Sequence, residues 1–199
     1  MLKVALTGNI GSGKSVICKF FEMLEVPVFY ADSEAKKLYN NPEILEKIKN
    51  LFGKKVFTPE GSLNKRALAN QVFSDKDKLK ELNALIHPEV YKAFDKWILQ
   101  HPDKPYCLQE AAIVFETGGY IRFDKTILVH APEEILIERV MKRDSLSRSE
   151  VLERLNNQMD QNQKMRLASY LLPNDNTMLL IPRILEIHSE LIRLSEKSN

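Results

Sequence analysis

The chain of 199 residues carries 29 lysines and arginines against 27 aspartates and glutamates, so its formal net charge is only +2. Hydrophobic residues make up 44% and charged residues 28%, values that are ordinary for a folded domain and exclude wholesale disorder. The near balance of charge argues against a polybasic nucleic-acid-binding or membrane-surface protein, and the length fits one domain or one core with an insertion.

The cysteine count predicts a reducing compartment. Cys18 and Cys107 are too few for a disulfide framework, and neither belongs to a Cys-x-x-Cys pair. The N-terminal residues do not resemble a signal peptide, and the sequence has no run of about 18 apolar residues. We therefore expect a cytoplasmic protein with no membrane and no nucleic-acid partner.

The first elements are predicted to be a strand, a glycine-rich turn, a helix and a second strand. Residues 2–7 form an apolar run typical of a buried strand, residues 14–24 have apolar side chains at helical spacing, and residues 26–30 are again β-rich. Together they have the size of a βαβ unit, about 30 residues.

The middle of the chain is predicted to be helical. Residues 33–101 contain no convincing strand, and we expect them to form a helical insertion. Trp97, with Phe94 and Ile98, is expected to belong to a core. The predicted helices are 33–40, 43–51, 64–73, 76–85 and 88–100.

Strands alternate with helices again in the last part of the chain. Strands are predicted at 106–109, 125–130 and 169–172, and helices at 132–143 and about 180–195. Ser147 and Glu150 have the spacing of a capping box, which predicts a further helix that starts there. A turn is predicted at 174–176. The alternation predicts an α/β fold with a parallel sheet.

The strongest motif follows the first predicted strand and opens the first predicted helix. Gly8-Asn9-Ile10-Gly11-Ser12-Gly13-Lys14-Ser15 matches the phosphate-binding loop G-x-x-x-x-G-K-[ST] (the P-loop) at every fixed position. Glycines let the backbone aim its N–H groups at an anion, and the helix N-terminus adds a favourable dipole. Lys14 is expected to reach the β- and γ-phosphates, and the Ser15 hydroxyl to bind Mg²⁺. The candidate nucleotide-binding residues of this motif are Gly8, Gly11, Ser12, Gly13, Lys14, Ser15 and Val16.

A P-loop does not by itself identify the phosphate acceptor. The guanine-reading motif Asn-Lys-x-Asp of GTPases is not matched, because Asn64-Lys65 is followed by Arg66-Ala67. A small P-loop core with a helical insertion and an arginine-rich later segment is typical of a small-molecule kinase.

Such a kinase needs a base for the acceptor hydroxyl and cations for the developing charge. Asp32 follows the second strand, at the end that faces the ligand crevice in open α/β sheets, although an aspartate there is also a typical helix cap. Arg139 and Arg143 share a helix face, and Arg148 follows in a polar segment that could form a lid; a solvated charged face is the alternative. Glu110, at the end of the third strand, could hold Mg²⁺ through water or be an ordinary strand-end carboxylate.

The histidines carry weaker signals. His87, beside Pro88, has two possible roles, as a packed polar residue or as a functional residue. We expect His101, His130 and His188 to be structural, because no ligand pattern surrounds them.

Several segments resemble the dephospho-coenzyme A kinases. The run from Val4 through the P-loop is similar to that family's version of the motif, and Val28-Phe29-Tyr30-Ala31-Asp32 resembles its Asp-Ala-Asp segment. Leu82-Asn83-Ala84-Leu85-Ile86-His87-Pro88 resembles its Leu-Asn-x-Leu-x-His-Pro. Further similarities, in chain order, are Arg66-Ala67-Leu68, Phe73, Phe115-Glu116, residues 139–144, Arg148, Gln158 and Asn174.

The resemblance implies a single P-loop kinase domain over residues 1–199, with a three-layer α/β/α core and a parallel sheet. Residues 33–101 would be the insertion that binds the acceptor, and 144–165 the lid. ATP, with Mg²⁺ on Ser15, would phosphorylate the ribose 3′-hydroxyl of dephospho-CoA to give CoA and ADP, the last step of coenzyme A biosynthesis. The implied catalytic residues are Asp32, Lys14, Arg139, Arg143 and Arg148; Asn174 joins the ATP site, and Asp32, Lys36, Arg66 and His87 bind the acceptor.

The sequence also departs from the family pattern. Tyr30 replaces the first Asp of Asp-Ala-Asp, and Lys36 replaces an Arg, which keeps the charge but loses the bidentate fork. Val16, Ala112 and Pro173 are further departures. Two alternatives stay open: another small-molecule P-loop kinase, acting on a nucleoside monophosphate or a sugar-like alcohol, and a non-catalytic nucleotide-binding regulator. We expect a monomer or a small homo-oligomer.

Overall fold

The computed structural model of the chain describes residues 1–73 and 75–197. The side chain of Phe73 and the last two residues of the predicted domain 1–199 lie outside this description. The chain divides into two compact units: Met1–Tyr30 with Gln100–Asn199, and Ala31–Leu99.

Five parallel strands form the sheet of the first unit, in the order β2-β3-β1-β4-β5. The strands are β1 (Leu2–Thr7), β2 (Val28–Tyr30), β3 (Tyr106–Glu110), β4 (Lys125–His130) and β5 (Tyr170–Pro173). Since all strands run in the same direction, their carboxyl ends lie at one edge. The predicted α/β fold with a parallel sheet is confirmed.

Nine helices accompany the strands in the described part of the chain. They are α1 (Lys14–Met23), α2 (Ala31–Leu38), α3 (Pro42–Phe52), α4 (Lys65–Phe73), α5 (Lys76–Ile98), α6 (Glu133–Asp144), α7 (Arg148–Asn156), α8 (Gln161–Leu167) and α9 (Leu180–Lys197). Two short 3₁₀ helices, Lys54–Val56 and Gly119–Arg122, are added to these.

Alternate residues of the central strands build the main core. Leu6 and Leu108 are fully buried, and they belong to one apolar cluster with Phe21 of α1 and with Ile187 and Leu191 of α9. The period of two in the strands and the period of three to four in the helices place these side chains on facing surfaces. Burial of each such side chain contributes about 1.5–3 kcal/mol relative to exposure, so this cluster fixes β1 and α1, and with them the ends of the P-loop.

A second cluster joins α6 and α7. It contains Ile137 and Val140 of α6 and Val151 and Leu155 of α7, and Ile10 of the P-loop packs against it. The capping box predicted from Ser147 and Glu150 is confirmed at the start of α7. The segment 144–165, predicted to be a lid, therefore holds a helix packed on α6; whether the segment moves stays a prediction.

The second unit contains α2 to α5. The prediction of two helices at 76–85 and 88–100 is wrong, because α5 runs through Pro88 without a break. Leu82, Ile86, Val90 and Phe94 are buried at intervals of four residues on both sides of the proline. This continuous apolar stripe offsets the cost of a proline inside a helix, about 3 kcal/mol.

Two smaller differences affect the candidate site. Helix α2 starts at Ala31, directly after β2, so Asp32 lies within its first turn instead of at the cap position that the alternative interpretation assigned to it. The sequence pattern does not predict helix α8, because this segment is polar over most of its length.

Candidate active site

The P-loop lies between β1 and α1, and its glycines are required by close contacts. Gly11 has φ 82°, and a Cβ added there would lie 2.6 Å from the carbonyl oxygen of Leu136 in α6. Gly13 has φ 93° and forms the N-cap of α1, where a Cβ would collide with the side-chain amide of Asn174. A side chain at Gly11 would push the loop away from the α6 backbone, whereas a side chain at Gly13 would displace Asn174 and strain the backbone at a positive φ. The loop geometry therefore depends on both residues.

Lys14 folds over its own loop. Its Nζ donates to the carbonyl oxygen of Gly8 at 2.8 Å and to that of Asn9 at 3.4 Å. Ser15 is exposed on the first turn of α1, next to the exposed Val16. Ser12 is fully buried, and its hydroxyl has no hydrogen-bond partner in the part of the chain that the structure describes.

Arg139 and Asn174 are brought to the P-loop. The Asn174 side-chain amide donates to the carbonyl oxygen of Ser12 at 2.7 Å. The Arg139 guanidinium donates to the carbonyl oxygen of Gly11 at 3.5 Å, to Asn174 Oδ1 at 3.4 Å and to Asn176 Oδ1 at 2.7 Å. This network connects α6, the turn after β5 and the loop.

Arg143 and Arg148 are held by carboxylates instead. Arg143 donates to both oxygens of Asp144, at 2.7 and 2.9 Å, and Arg148 donates to both oxygens of Glu134, at 2.8 and 2.6 Å. These carboxylates raise the pKa of each guanidinium, so both arginines stay charged. Both pairs are largely exposed, so solvent screens them and they contribute little to stability.

Acidic side chains surround the end of β3. Glu110 is buried and lies in register with Tyr30 of β2 and Leu6 of β1. The Tyr30 hydroxyl, at the position where the family pattern has Asp, donates to Glu22 at 2.9 Å. Burial, with added repulsion from Glu110 and Glu22, raises the pKa of Cys18 to about 12. Cys18 is therefore an uncharged core thiol.

The predicted acceptor-binding residues lie in the second unit. Asp32 and Lys36 are exposed one helical turn apart on α2, and Arg66 is exposed on α4. His87 lies within α5, where burial lowers its pKa and its ring meets that of Tyr91 edge-on at 6.5 Å.

Trp97 and His188 contact other side chains of the protein, as expected of structural residues. Trp97 stacks on Phe94 with ring centroids 6.0 Å apart. His188 Nδ1 shares a hydrogen bond of 2.7 Å with the hydroxyl of the fully buried Tyr106. Burial lowers the pKa of His130 and of His188.

Sequence reasoning missed a polar cluster beside the P-loop. Gln158 Oε1 accepts the N–H of Ile10 at 2.9 Å, and the buried Lys164 lies 2.6 Å from Glu116. In the sequence, Gln158 and Glu116 are marked only by the family resemblance, and nothing marks Lys164. Lys164 stands in a polar run, a pattern that normally indicates an exposed surface, so the sequence carries no local signal for its burial.

A parallel sheet whose central strand runs into such a loop, with a lysine side chain folded over it, defines the class of P-loop nucleotide-binding proteins. Known proteins identify the family within that class. The sequence model of the dephospho-CoA kinases matches residues 2–179. The dephospho-CoA kinase of Bacteroides fragilis is 37% identical over 191 residues, which cover 94% of this chain and 91% of that protein. The dephospho-CoA kinase of Thermus thermophilus is 38% identical and covers 92% of this chain and 88% of its own.

Solved structures agree with this match. A structure of TT1252 from Thermus thermophilus has a TM-score of 0.86 and 37% identity, covering 96% of this chain and 97% of its own. The dephospho-CoA kinase from Campylobacter jejuni has a TM-score of 0.68 and 28% identity over the same shares of the two chains. The shikimate kinase from Acinetobacter baumannii, at TM-score 0.53 and 14% identity, shares the fold alone, over 100% of this chain and 96% of its own.

The chain belongs to the dephospho-CoA kinase family. The resemblance stated from the sequence is confirmed, as are the ATP-dependent kinase activity and the small-molecule substrates that it implied. In the described part of the chain, the helices lack the length and apolar character that a bilayer crossing requires.

Proposed function

We propose that the P-loop holds the phosphates of ATP while the γ-phosphoryl group passes to the 3′-hydroxyl of dephospho-CoA. The bond between the γ-phosphorus and its bridging oxygen breaks as the hydroxyl oxygen bonds to phosphorus, and ADP leaves. The observation that carries this proposal is the glycine-dependent loop at the carboxyl end of β1, in a chain of this family. Its N–H groups and the start of α1 suit an anion.

Lys14 is proposed to exchange its partners when ATP binds. Its ammonium group now donates to the carbonyl oxygens of Gly8 and Asn9. Phosphate oxygens carry full charges, and charge-assisted hydrogen bonds are about twice as strong as neutral ones. The ammonium group would therefore turn from the loop carbonyls to the β- and γ-phosphates.

Ser15 is proposed to bind Mg²⁺, and the residues present fit this ion. Mg²⁺ usually takes one or two protein oxygens and fills the other positions with phosphate oxygens and water. The exposed Ser15 hydroxyl, on the first turn of α1, is one such protein oxygen. Among the described residues, no group of three or more His, Cys, Asp or Glu side chains could hold a metal ion. When bound, the ion supplies positive charge against the phosphates. That Glu110 holds one of its waters stays a prediction.

The three arginines are proposed to divide two tasks. The contacts of Arg139 with Gly11, Asn174 and Asn176 support a role in shaping the nucleotide site. Arg143 and Arg148 are proposed to leave their carboxylate partners and approach the transferring phosphoryl group. This exchange gives up only two solvent-screened ion pairs, which contribute little to stability.

The second unit is proposed to bind dephospho-CoA, with Asp32 as the base that takes the proton of the 3′-hydroxyl. The exposed cations Lys36 and Arg66 suit the pyrophosphate of that acceptor, and the partly buried His87 is a further candidate contact. These roles follow from the family resemblance and from the exposure of the side chains within the unit.

The cellular location and the oligomeric state of the protein are also proposals. The free, buried cysteines Cys18 and Cys107 support a reducing, cytoplasmic location. A monomer or small homo-oligomer without a nucleic-acid partner stays our expectation, supported by the near-neutral charge.

The testing experiment measures ADP release from ATP and Mg²⁺ with four acceptors in parallel: dephospho-CoA, adenosine, AMP and shikimate. We expect turnover with dephospho-CoA only, and loss of that turnover in Lys14→Ala. Turnover with another acceptor instead would contradict the proposed acceptor site. ATP binding without turnover on any acceptor would contradict catalysis and favour a regulatory protein.

A further inference from the structure

A side chain that follows α7 holds a backbone N–H of the P-loop. Gln158 Oε1 accepts the N–H of Ile10 at 2.9 Å, although the two residues are 148 positions apart. The side chain of Ile10 packs against the cluster formed by α6 and α7. The first half of the loop is therefore held at two points, by an apolar side chain and by a backbone hydrogen bond.

Gln158 is itself held in place by its chain neighbours. Its N–H donates to the carbonyl oxygen of Leu155 at 2.9 Å, and the next N–H, of Met159, donates to Glu116 Oε1 at 3.1 Å. The same carboxylate oxygen lies 2.6 Å from Nζ of Lys164, which is fully buried. Removing one partner of a buried ion pair leaves an uncompensated charge, so this pair resists separation.

A third contact ties the same segment to the sheet. The Gln161 side chain donates to the carbonyl oxygen of Ala131 at 3.0 Å and accepts the Ala131 N–H at 3.4 Å. Ala131 follows the last residue of β4, at the edge where β1 runs into the P-loop. The segment 158–164 is thus anchored to the loop after β3, to the end of β4 and to the P-loop.

We propose that Gln158 is a positioning residue for phosphate binding. By holding the Ile10 N–H, it fixes the orientation of the loop residues that follow, whose N–H groups receive the phosphates. Donors that are already oriented need no rearrangement when the anion binds, so their contribution to binding is not reduced by the cost of ordering the loop. This inference rests on the proposed phosphate-binding role of the P-loop.

The test compares three full-length variants. Gln158→Met keeps the length of the side chain and removes the acceptor, whereas Gln158→Glu keeps an acceptor oxygen. Gln163→Met is the matched control, because Gln163 is exposed on α8. Amide hydrogen exchange of Ile10, measured by NMR without nucleotide, should accelerate about fivefold in Gln158→Met, the factor for a net hydrogen bond of about 1 kcal/mol. Exchange should stay at the wild-type rate in Gln158→Glu and Gln163→Met.

Kinetics separate positioning from general stability. In Gln158→Met, KM for ATP should rise about fivefold with KM for dephospho-CoA unchanged. Ile10 exchange at the wild-type rate in that variant, an equal rise of both KM values, or the same effects in Gln163→Met would overturn the proposal. If Gln158→Met does not fold, the same measurements are made on Gln158→Asn, whose acceptor oxygen is set back from the Ile10 N–H by one methylene. If the protein has no kinase activity, Ile10 exchange and ADP affinity still decide the role of Gln158, whereas the acceptor panel alone decides the function.

Discussion

The buried ion pair between Lys164 and Glu116 allows a stability prediction with a worked magnitude. Lys164 is fully buried, and its Nζ lies 2.6 Å from Glu116 Oε1. Neither Nζ nor Glu116 Oε2 has a hydrogen-bond partner in the described residues, so the ion pair is the main compensation for the buried charge. Glu116→Gln keeps the shape and the oxygen that accepts the Met159 N–H, and removes only the negative charge. Breaking such a pair costs about 3–5 kcal/mol, and we expect a loss of about 3 kcal/mol because the polar amide oxygen stays beside Nζ.

Two controls isolate the charge from the substitution. Glu186→Gln removes a carboxylate from an ion pair with Arg183 of the same length, 2.6 Å, in which the glutamate is 63% exposed. We expect that variant to lose less than about 1 kcal/mol. Adding Lys164→Met to Glu116→Gln removes the buried charge altogether, so the double variant should regain most of the lost stability.

The free energy of unfolding is obtained from urea titrations followed by circular dichroism, without ligands. The reasoning is refuted if Glu116→Gln is no less stable than Glu186→Gln. It is also refuted if the losses of Glu116→Gln and Lys164→Met simply add in the double variant, since residues that interact must show a coupling energy.

Two further predictions concern catalysis and pH. Asp32→Asn should lower kcat by a factor of about 10² or more and leave ATP binding intact. Steady-state kinetics measure this beside the control Asp103→Asn, which changes an exposed aspartate. Near-normal turnover would leave Asp32 only a structural place in the first turn of α2. Burial lowers the pKa of His87, His130 and His188, so the unfolded chain binds more protons just below the ordinary histidine pKa of about 6.5. Stability should therefore fall between pH 7.5 and 5.5 (roughly the histidine range), seen as a lower melting temperature, and fall less in His87→Phe; an unchanged melting temperature contradicts this.

The sheet and the P-loop could be predicted from sequence because their signals are local. Buried parallel strands appear as short apolar runs, and the glycine, lysine and serine positions of the loop have a fixed spacing. The same is true of the capping box at Ser147 and Glu150, which occupies four consecutive residues. The order of the strands and the contact of Gly13 with Asn174 are not local, and only the structure supplies them.

Tertiary packing decided the elements that sequence reasoning missed. Pro88 is an interior residue of α5 because buried side chains on both sides of it favour one continuous helix over two. Lys164 is buried because Glu116, which lies 48 positions away in sequence, supplies the compensating charge. A lysine is thus expected at the surface and a proline outside a helix, but contacts with residues distant in sequence can override both preferences. Overriding either preference costs a few kcal/mol.

The three arginines show the same limit at the candidate site. Their spacing predicts that Arg139 and Arg143 share a helix face, but it does not predict that Arg139 contacts the P-loop while Arg143 turns to its neighbour Asp144. Arg148 contacts Glu134, fourteen residues earlier in the chain. Arg139 donates to carbonyl and amide oxygens, whereas Arg143 and Arg148 both donate to carboxylates. The competition among nearby acceptors decides where each guanidinium lies. A bound triphosphate adds a stronger acceptor to that competition, so Arg143 and Arg148, whose ion pairs are exposed, are the arginines expected to change partners during the reaction.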